Sequence, residues 1–351
     1  SVYGIAFPRF QVIGRSQPIK TVEMHTGGEP LRIVESGLPE IKGATILEKR
    51  KYAKEHLDHI RKVLMREPRG HLDMYGTYLV EPDLPEADLA VLFTHNEGYS
   101  TMCGHATIAL GRYAVDKGLV KDVSPPEVEV KIQAPPGLLR VWTKVNEKGR
   151  SGSVRFHSIP SFAAATDVKV NVPNNGEVTL DVGFGGTFYA VVPASRFELD
   201  LDTSPVHDLI KVGMTVRKAV SEQVKVKHPD FPELEFIYGT ILTDGSDQYS
   251  DKPTKNVCIF ADNQVDRSPT GSGVIARIAL QHHKGLIKLN QVRCFTSIIG
   301  SVFTGMAVEK TKCGDNPAVV VEVSGTAYYT GSSTFTVEAG DELAEGFLPR
   351  M

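Results

Sequence analysis

Leu89-Ala-Val-Leu-Phe-Thr-His-Asn96 leads into Met102-Cys-Gly-His-Ala-Thr-Ile-Ala-Leu110, and the stretch closes on Lys117-Gly-Leu-Val120. The same sentence is written again further along: Asn256-Val-Cys-Ile-Phe-Ala-Asp-Asn263, Pro269-Thr-Gly-Ser-Gly-Val-Ile-Ala-Arg277, Lys284-Gly-Leu-Ile287. One ungapped offset, 271 − 104 = 167, aligns Phe93 with Phe260, Asn96 with Asn263, Gly104 with Gly271 and Lys117-Gly118-Leu119 with Lys284-Gly285-Leu286. Upstream, an offset of 185 − 27 = 158 aligns Gly27-Gly28 and the apolar run after it with Gly185-Gly186 and its run. The pieces keep their order, and the period far exceeds the 20–50 residues of a solenoid. The chain is a duplicated domain.

Each copy reads as strands followed by one apolar helix. Ala90–Thr94 and Val257–Ala261 are short apolar runs suited to buried strands. The segments after Cys103 and after Thr270 lose their turn residues and become helical, and apolar on most faces, hence buried. Lys117-Gly118 and Lys284-Gly285 supply a cation and a capping glycine at the two helix ends. Strand–turn–strand patterns follow at Val128–Ala134 to Leu138–Thr143 through Pro135-Pro136-Gly137, and at Val292–Ile298 to Val302–Val308 through Gly300. The expected fold is α+β: two halves related by a pseudo-twofold, each wrapping a mostly antiparallel sheet around a central helix, with the site in the cleft between them. The expected division is 1–150, joined by the C-terminal segment 326–351, against 151–325, with the charged stretch Asn146–Gly152 as linker.

Composition removes several function classes. Of 351 residues, 41% are hydrophobic and 23% charged, the balance of a folded globular chain. Lys and Arg number 39 against 42 Asp and Glu, a net charge of −3, which implies no basic face for nucleic acid. No apolar run reaches the roughly 18 residues of a membrane span. Ser1–Pro18 carries Arg9 and Arg15 without an apolar core, so no secretory signal is expected there. Four cysteines, none in a CxxC pair, argue against a disulfide scaffold or zinc finger and for a reducing, cytoplasmic setting. Adjacent His282 and His283 point apart on a helix and make a poor metal pair. Gly27-Gly28 and Gly185-Gly186 match no phosphate-loop pattern and read as turns. No GxSxG elbow supports serine catalysis. Cys258, Cys294 and Cys313 read as structural.

The chemistry concentrates at the two loop-to-helix junctions. Cys103-Gly104-His105 places a thiol where the helix dipole and free N–H groups favour negative charge, which predicts a lowered thiol pKa. The duplicated position is Thr270-Gly271-Ser272-Gly273. A twofold would aim both helix N-termini at one cleft, with Cys103 facing Thr270 and the N–H groups of Gly104, His105, Gly271 and Ser272 gripping a carboxylate. Asp266, four residues before Thr270, fits an ammonium partner and equally an Asx-turn before Pro269. His105 fits a partner of the thiol or of the amine, and equally a satisfied core histidine.

Met24-His-Thr-Gly-Gly-Glu-Pro30, Gly98-Tyr-Ser-Thr-Met-Cys-Gly-His105 and Asp266-Arg-Ser-Pro-Thr-Gly-Ser-Gly273 resemble the proline racemase family, related in fold to diaminopimelate epimerase, over about residues 20–345. The resemblance implies Cys103 as base, the four backbone N–H groups on the carboxylate, Asp266 on the ring nitrogen, a cyclic amino acid as substrate and a homodimer. Family racemases carry a Cys in both halves; Thr270 departs from that and resembles the trans-3-hydroxy-L-proline dehydratase branch. Elementary chemistry points the same way. Racemisation needs a matched acid and base on opposite faces, and a Thr hydroxyl supplies no resting base. With one competent base, loss of a β-hydroxyl becomes the productive exit. A proline racemase or 4-hydroxyproline 2-epimerase, and a non-catalytic amino-acid-binding relative, are the alternatives. No cofactor motif is present and the reaction needs none.

Overall fold

The computed structural model describes residues 17–349, so the reading of Ser1–Pro18 falls almost wholly outside the described residues. Eighteen strands form a hydrogen-bonded network. Sixteen run edge to edge, and the two-residue strands Tyr99–Ser100 and Gln264–Val265 hook onto it. From one end the order is Ala327–Phe335, Ile19–Thr26, Glu29–Ser36, Tyr75–Val80, Leu89–His95, Glu127–Ala134, Gly137–Val145, Ser151–His157. From the other it is Phe162–Val172, Gly176–Phe184, Phe188–Pro193, Ile237–Thr243, Thr254–Phe260, Arg293–Thr296, Val302–Cys313, Asn316–Gly325. In each series the third strand pairs parallel with the fourth and the fifth with the sixth, and every other pairing is antiparallel. The series meet where Ser151–His157 pairs with Asn316–Gly325. The molecule is α+β, and its strand order is a palindrome about that seam.

Each series curls round one 13-residue helix, Gly104–Asp116 in the first half and Gly271–His283 in the second. Both helices are buried along nearly their whole length because small and apolar residues occupy almost every face. Residues of the two helices, among them Ile108, Leu110, Val274 and Ile278, share one apolar cluster. Lys117 and Lys284 cap their C-termini, and Gly118 and Gly285 follow at φ +69° and +72°, the left-handed backbone that glycine adopts without strain.

Three helices were not anticipated: Ile46–His56, Asp58–Met65 and Val206–Gln223. The charged stretch Asn146–Gly152 is not a linker. It is the tip of a hairpin between Gly137–Val145 and Ser151–His157, closed by the Asn146 side chain accepting from the N–H groups of Lys148 and Arg150. Asx-turn chemistry and exposure at a hairpin tip produce the same polar composition that a linker would. Ser151–His157, on the second side of the expected division, is bonded to strands of both halves, and Ala327–Phe335 lies against Ile19–Thr26.

Candidate active site

Helices Gly104–Asp116 and Gly271–His283 start nose to nose. A Cβ placed on Gly104 would lie 2.9 Å from the Cα of Gly271, and the reverse holds equally, so only glycines allow this approach. Cys103 and Thr270 are the N-cap residues, and neither side chain caps its own helix. The first N–H groups of both helices are therefore not capped by these side chains, the arrangement at which an anion binds favourably. Cys103, Gly104, His105, Asp266, Thr270, Gly271 and Ser272 all line one small pocket of about 50 Å³. It adjoins a vestibule of about 290 Å³, with Met102, Tyr189, Tyr238 and Ser272 common to both walls.

His105 Nε2 lies 3.1 Å from the carbonyl oxygen of Pro30, which can only accept, so Nε2 carries the ring proton. Nδ1 then presents its lone pair to Cys103 Sγ at 3.0 Å, and the thiol donates to it. Burial pushes the Cys103 thiol up to about 12, partly offset by the Ala106 N–H and the Tyr75 hydroxyl and reinforced by Asp266 and Glu29. The lowered pKa expected from the helix dipole is therefore reversed. For a buried thiol with two acidic neighbours, desolvation of the thiolate outweighs the helix N-terminus. Burial also holds the His105 imidazole below its ordinary range, although Asp266 pulls the other way.

Across the cavity, Asp266 Oδ1 accepts from the Ser268 N–H at 2.8 Å and the Ser268 hydroxyl at 2.7 Å, and Oδ2 accepts from the Thr270 hydroxyl at 2.7 Å. Thr270 sits at φ +67°, a region that a β-branched residue rarely enters. Such strain clusters at functional sites, where the surroundings over-determine the conformation. The Thr270 proton is committed to Asp266, and the Ser272 hydroxyl is paired with Tyr189 at 2.7 Å.

Seven further wall residues, Glu29, Tyr75, Met102, Tyr189, Tyr238, Cys258 and Phe260, were not singled out as site residues in the sequence. Tyr75-Gly76-Thr77 and Tyr238-Gly239-Thr240 repeat at an offset of 238 − 75 = 163, a signal that could have found both tyrosines. Cys258 lies buried on Thr254–Phe260, the strand position read from the sequence, and also lines the cavity. Cys294 and Cys313 lie on strands. Glu29 follows the Gly27-Gly28 turn, which joins two strands of a hairpin. Outside the cavity, His228, Asp230 and Cys313 come together. There His228 Nδ1 accepts from the N–H groups of Asp230 and Phe231, which leaves Nε2 protonated and facing Cys313 Sγ at 3.5 Å, a hydrogen bond where a metal would need a lone pair.

The comparisons agree with this architecture. The chain is 60% identical over 331 residues to the trans-L-3-hydroxyproline dehydratase of Xenopus tropicalis, covering 94% of this chain and 95% of that one. It is 54% identical over 350 residues to the trans-3-hydroxy-L-proline dehydratase of Homo sapiens, covering 98% of each. A crystal structure of a probable proline racemase from Agrobacterium radiobacter, with bound carbonate, superposes with a TM-score of 0.85 at 27% identity, covering 94% of this chain and 96% of that one. Residues 21–348 match the proline racemase family model, and the chain belongs to that family.

Proposed function

We propose that this protein is a hydro-lyase that converts trans-3-hydroxy-L-proline to Δ1-pyrroline-2-carboxylate and water. The observation that carries the reading is an asymmetry in an otherwise duplicated pocket. One helix N-cap is a thiol hydrogen-bonded to an imidazole, and its counterpart is a hydroxyl bonded to a carboxylate. The curated relatives named above carry that activity in their names.

In this reading the substrate carboxylate lies on the N–H groups of Gly104, His105, Gly271 and Ser272, and the ring ammonium lies by Asp266. The Cys103 proton passes to His105 Nδ1, and the resulting imidazolium is held by the Pro30 carbonyl. The thiolate takes the α-hydrogen, and charge developing toward the carboxylate is met by the helix N–H groups, as in an oxyanion hole. Thr270, weakly basic and already donating to Asp266, returns no proton to the far face, so the β-hydroxyl leaves. The enamine then tautomerises to the cyclic imine.

Two structural units support this site: strands from Ile19 to His157 completed by Ala327–Phe335, and strands from Phe162 to Gly325. A small cyclic amino acid as ligand, a homodimer and a cytoplasmic location complete the proposal. The free state of all four cysteines supports a reducing compartment. No helix among the described residues is long and apolar enough to cross a membrane. Incubation with trans-3-hydroxy-L-proline in D2O tests the activity. The expected product is the cyclic imine; α-deuteration with inversion would instead identify an epimerase, and neither would identify a binding protein.

A further inference from the structure

Dehydration needs a proton on the departing oxygen as well as a base on the α-hydrogen. In trans-3-hydroxy-L-proline the hydroxyl lies on the ring face opposite the carboxylate, and so does the α-hydrogen. Base and acid must therefore approach the same face, the one that Cys103 addresses, while Thr270 addresses the other. On the Cys103 side, His105 is engaged through both ring nitrogens, by Pro30 and by Cys103. The Tyr75 hydroxyl is shared with Ser100, and burial holds it well above its ordinary range. Glu29 remains.

Glu29 comes from the same half as Cys103 and is 2% exposed on the cavity wall. The residue beside it, Pro30, accepts the His105 Nε2–H, which ties Glu29 to the thiol's own partner. Glu29 Oε2 accepts from the Arg267 N–H at 3.0 Å, and among the described residues Oε1 has no hydrogen-bond partner. We propose that Glu29 is the general acid that protonates the departing 3-hydroxyl. This inference rests on the dehydratase reading. Burial, with Asp266 and Asp73 adding to it and Arg267 opposing, raises the Glu29 carboxyl well above the ordinary range, so it holds a proton to give.

The step balances. The α-hydrogen moves to Cys103 sulfur, its electron pair forms the double bond to C3, and the C3–O bond breaks toward oxygen, which takes the Glu29 proton and leaves as water. A ring-nitrogen proton then returns to Glu29. The Cys103 thiol protonates C3, giving the cyclic imine and restoring both groups.

The test compares two leaving groups, because fluoride departs as an anion and needs no proton. Glu29→Gln keeps an acceptor for Arg267. With trans-3-hydroxy-L-proline its kcat is expected to fall about 100- to 10,000-fold, and with trans-3-fluoro-L-proline fluoride release stays within about threefold of the unaltered enzyme. Equal losses on both substrates would overturn the proposal. If the unaltered enzyme released neither water nor fluoride, the dehydratase reading itself would fall. Retained binding of pyrrole-2-carboxylate checks the fold of the variant. A measurement on the unaltered enzyme is independent of any variant: water release falls at high pH as Glu29 loses its proton while fluoride release does not. Cys103, His105, Asp266, Asp73 and Arg267 face the same cavity or Glu29 itself, and any effect they have on α-hydrogen abstraction or binding is common to both substrates. Parallel pH profiles would overturn the assignment.

Discussion

Exchanging the sulfur of Cys103 for oxygen alters one atom and removes the thiol that serves as base in the proposed reaction. Cys103→Ser is expected to abolish product formation while pyrrole-2-carboxylate still binds within about threefold, because the proposed carboxylate grip is made by backbone N–H groups and the serine fits the same space. Calorimetric titration alongside the D2O assay measures both. Thr270→Cys is expected to add slow inversion at the α-carbon of L-proline or 4-hydroxy-L-proline, since a thiol there starts from the equivalent helix N-terminus. The gain stays partial, because the variant gives up the hydroxyl bond to Asp266 that steadies a φ of +67°. A variant that binds pyrrole-2-carboxylate and never inverts the α-carbon would remove Thr270 from the far face. His95, on the vestibule wall, adds a pH dependence of stability. Burial, with Arg61 and Arg50 nearby, pushes it down to about 4. Folding therefore favours the neutral ring: its contribution is complete above the unfolded value near 6.5 and is lost as pH falls from there toward 4, up to about 3 kcal/mol. The urea midpoint should drop across that window, and His95→Asn should flatten the drop.

At the scale of elements, the contact of two helix noses is the feature most open to attack. Gly104→Ala is expected to destabilise the fold by about 1–3 kcal/mol by overpacking and to weaken pyrrole-2-carboxylate binding, because the new methyl meets backbone that cannot rotate away. Gly98→Ala, where nothing lies within 4 Å, should change the urea midpoint little. The two glycines, like the helices they begin, were legible in the sequence because the duplication wrote them twice. The tyrosine pair was legible in the same way and was missed because loop lengths shift its offset to 163. Glu29 had no such signal; its counterpart at the offset of 158 is Thr187, and only the hairpin's placement gives it a role. Helix Ile46–His56 was hidden for another reason. It buries only Ile46, Lys49 and Ala53, too few for an apolar stripe, although Thr45 and Glu48 form a complete capping box that the sequence displays.

For the whole molecule, the palindrome makes the first half depend on the last strand. Ala327–Phe335 occupies beside Ile19–Thr26 the place that Phe162–Val172 holds beside Gly176–Phe184. Truncation before Ala327 is expected to lose soluble protein, whereas truncation after Phe347 should cost little, since Phe347 still bridges to Glu67. Soluble yield and melting temperature of the two shortened chains check this. The strand order itself was not readable from the sequence, because pairing across about 300 residues leaves no local mark.

That closing strand also sets when the protein can exist during synthesis. A ribosome adds about 5–20 residues per second, so the 327 − 26 = 301 residues between the two partners correspond to a wait of about 15–60 s. Throughout that interval the nascent Ile19–Thr26 presents an unpaired edge, the kind that recruits foreign strands. The thiol of Cys103 has been made long before, yet Asp266 and Thr270 arrive late and the half that carries the thiol is sealed last. Chains released early therefore hold Cys103 without its pocket, and only the completed fold encloses it.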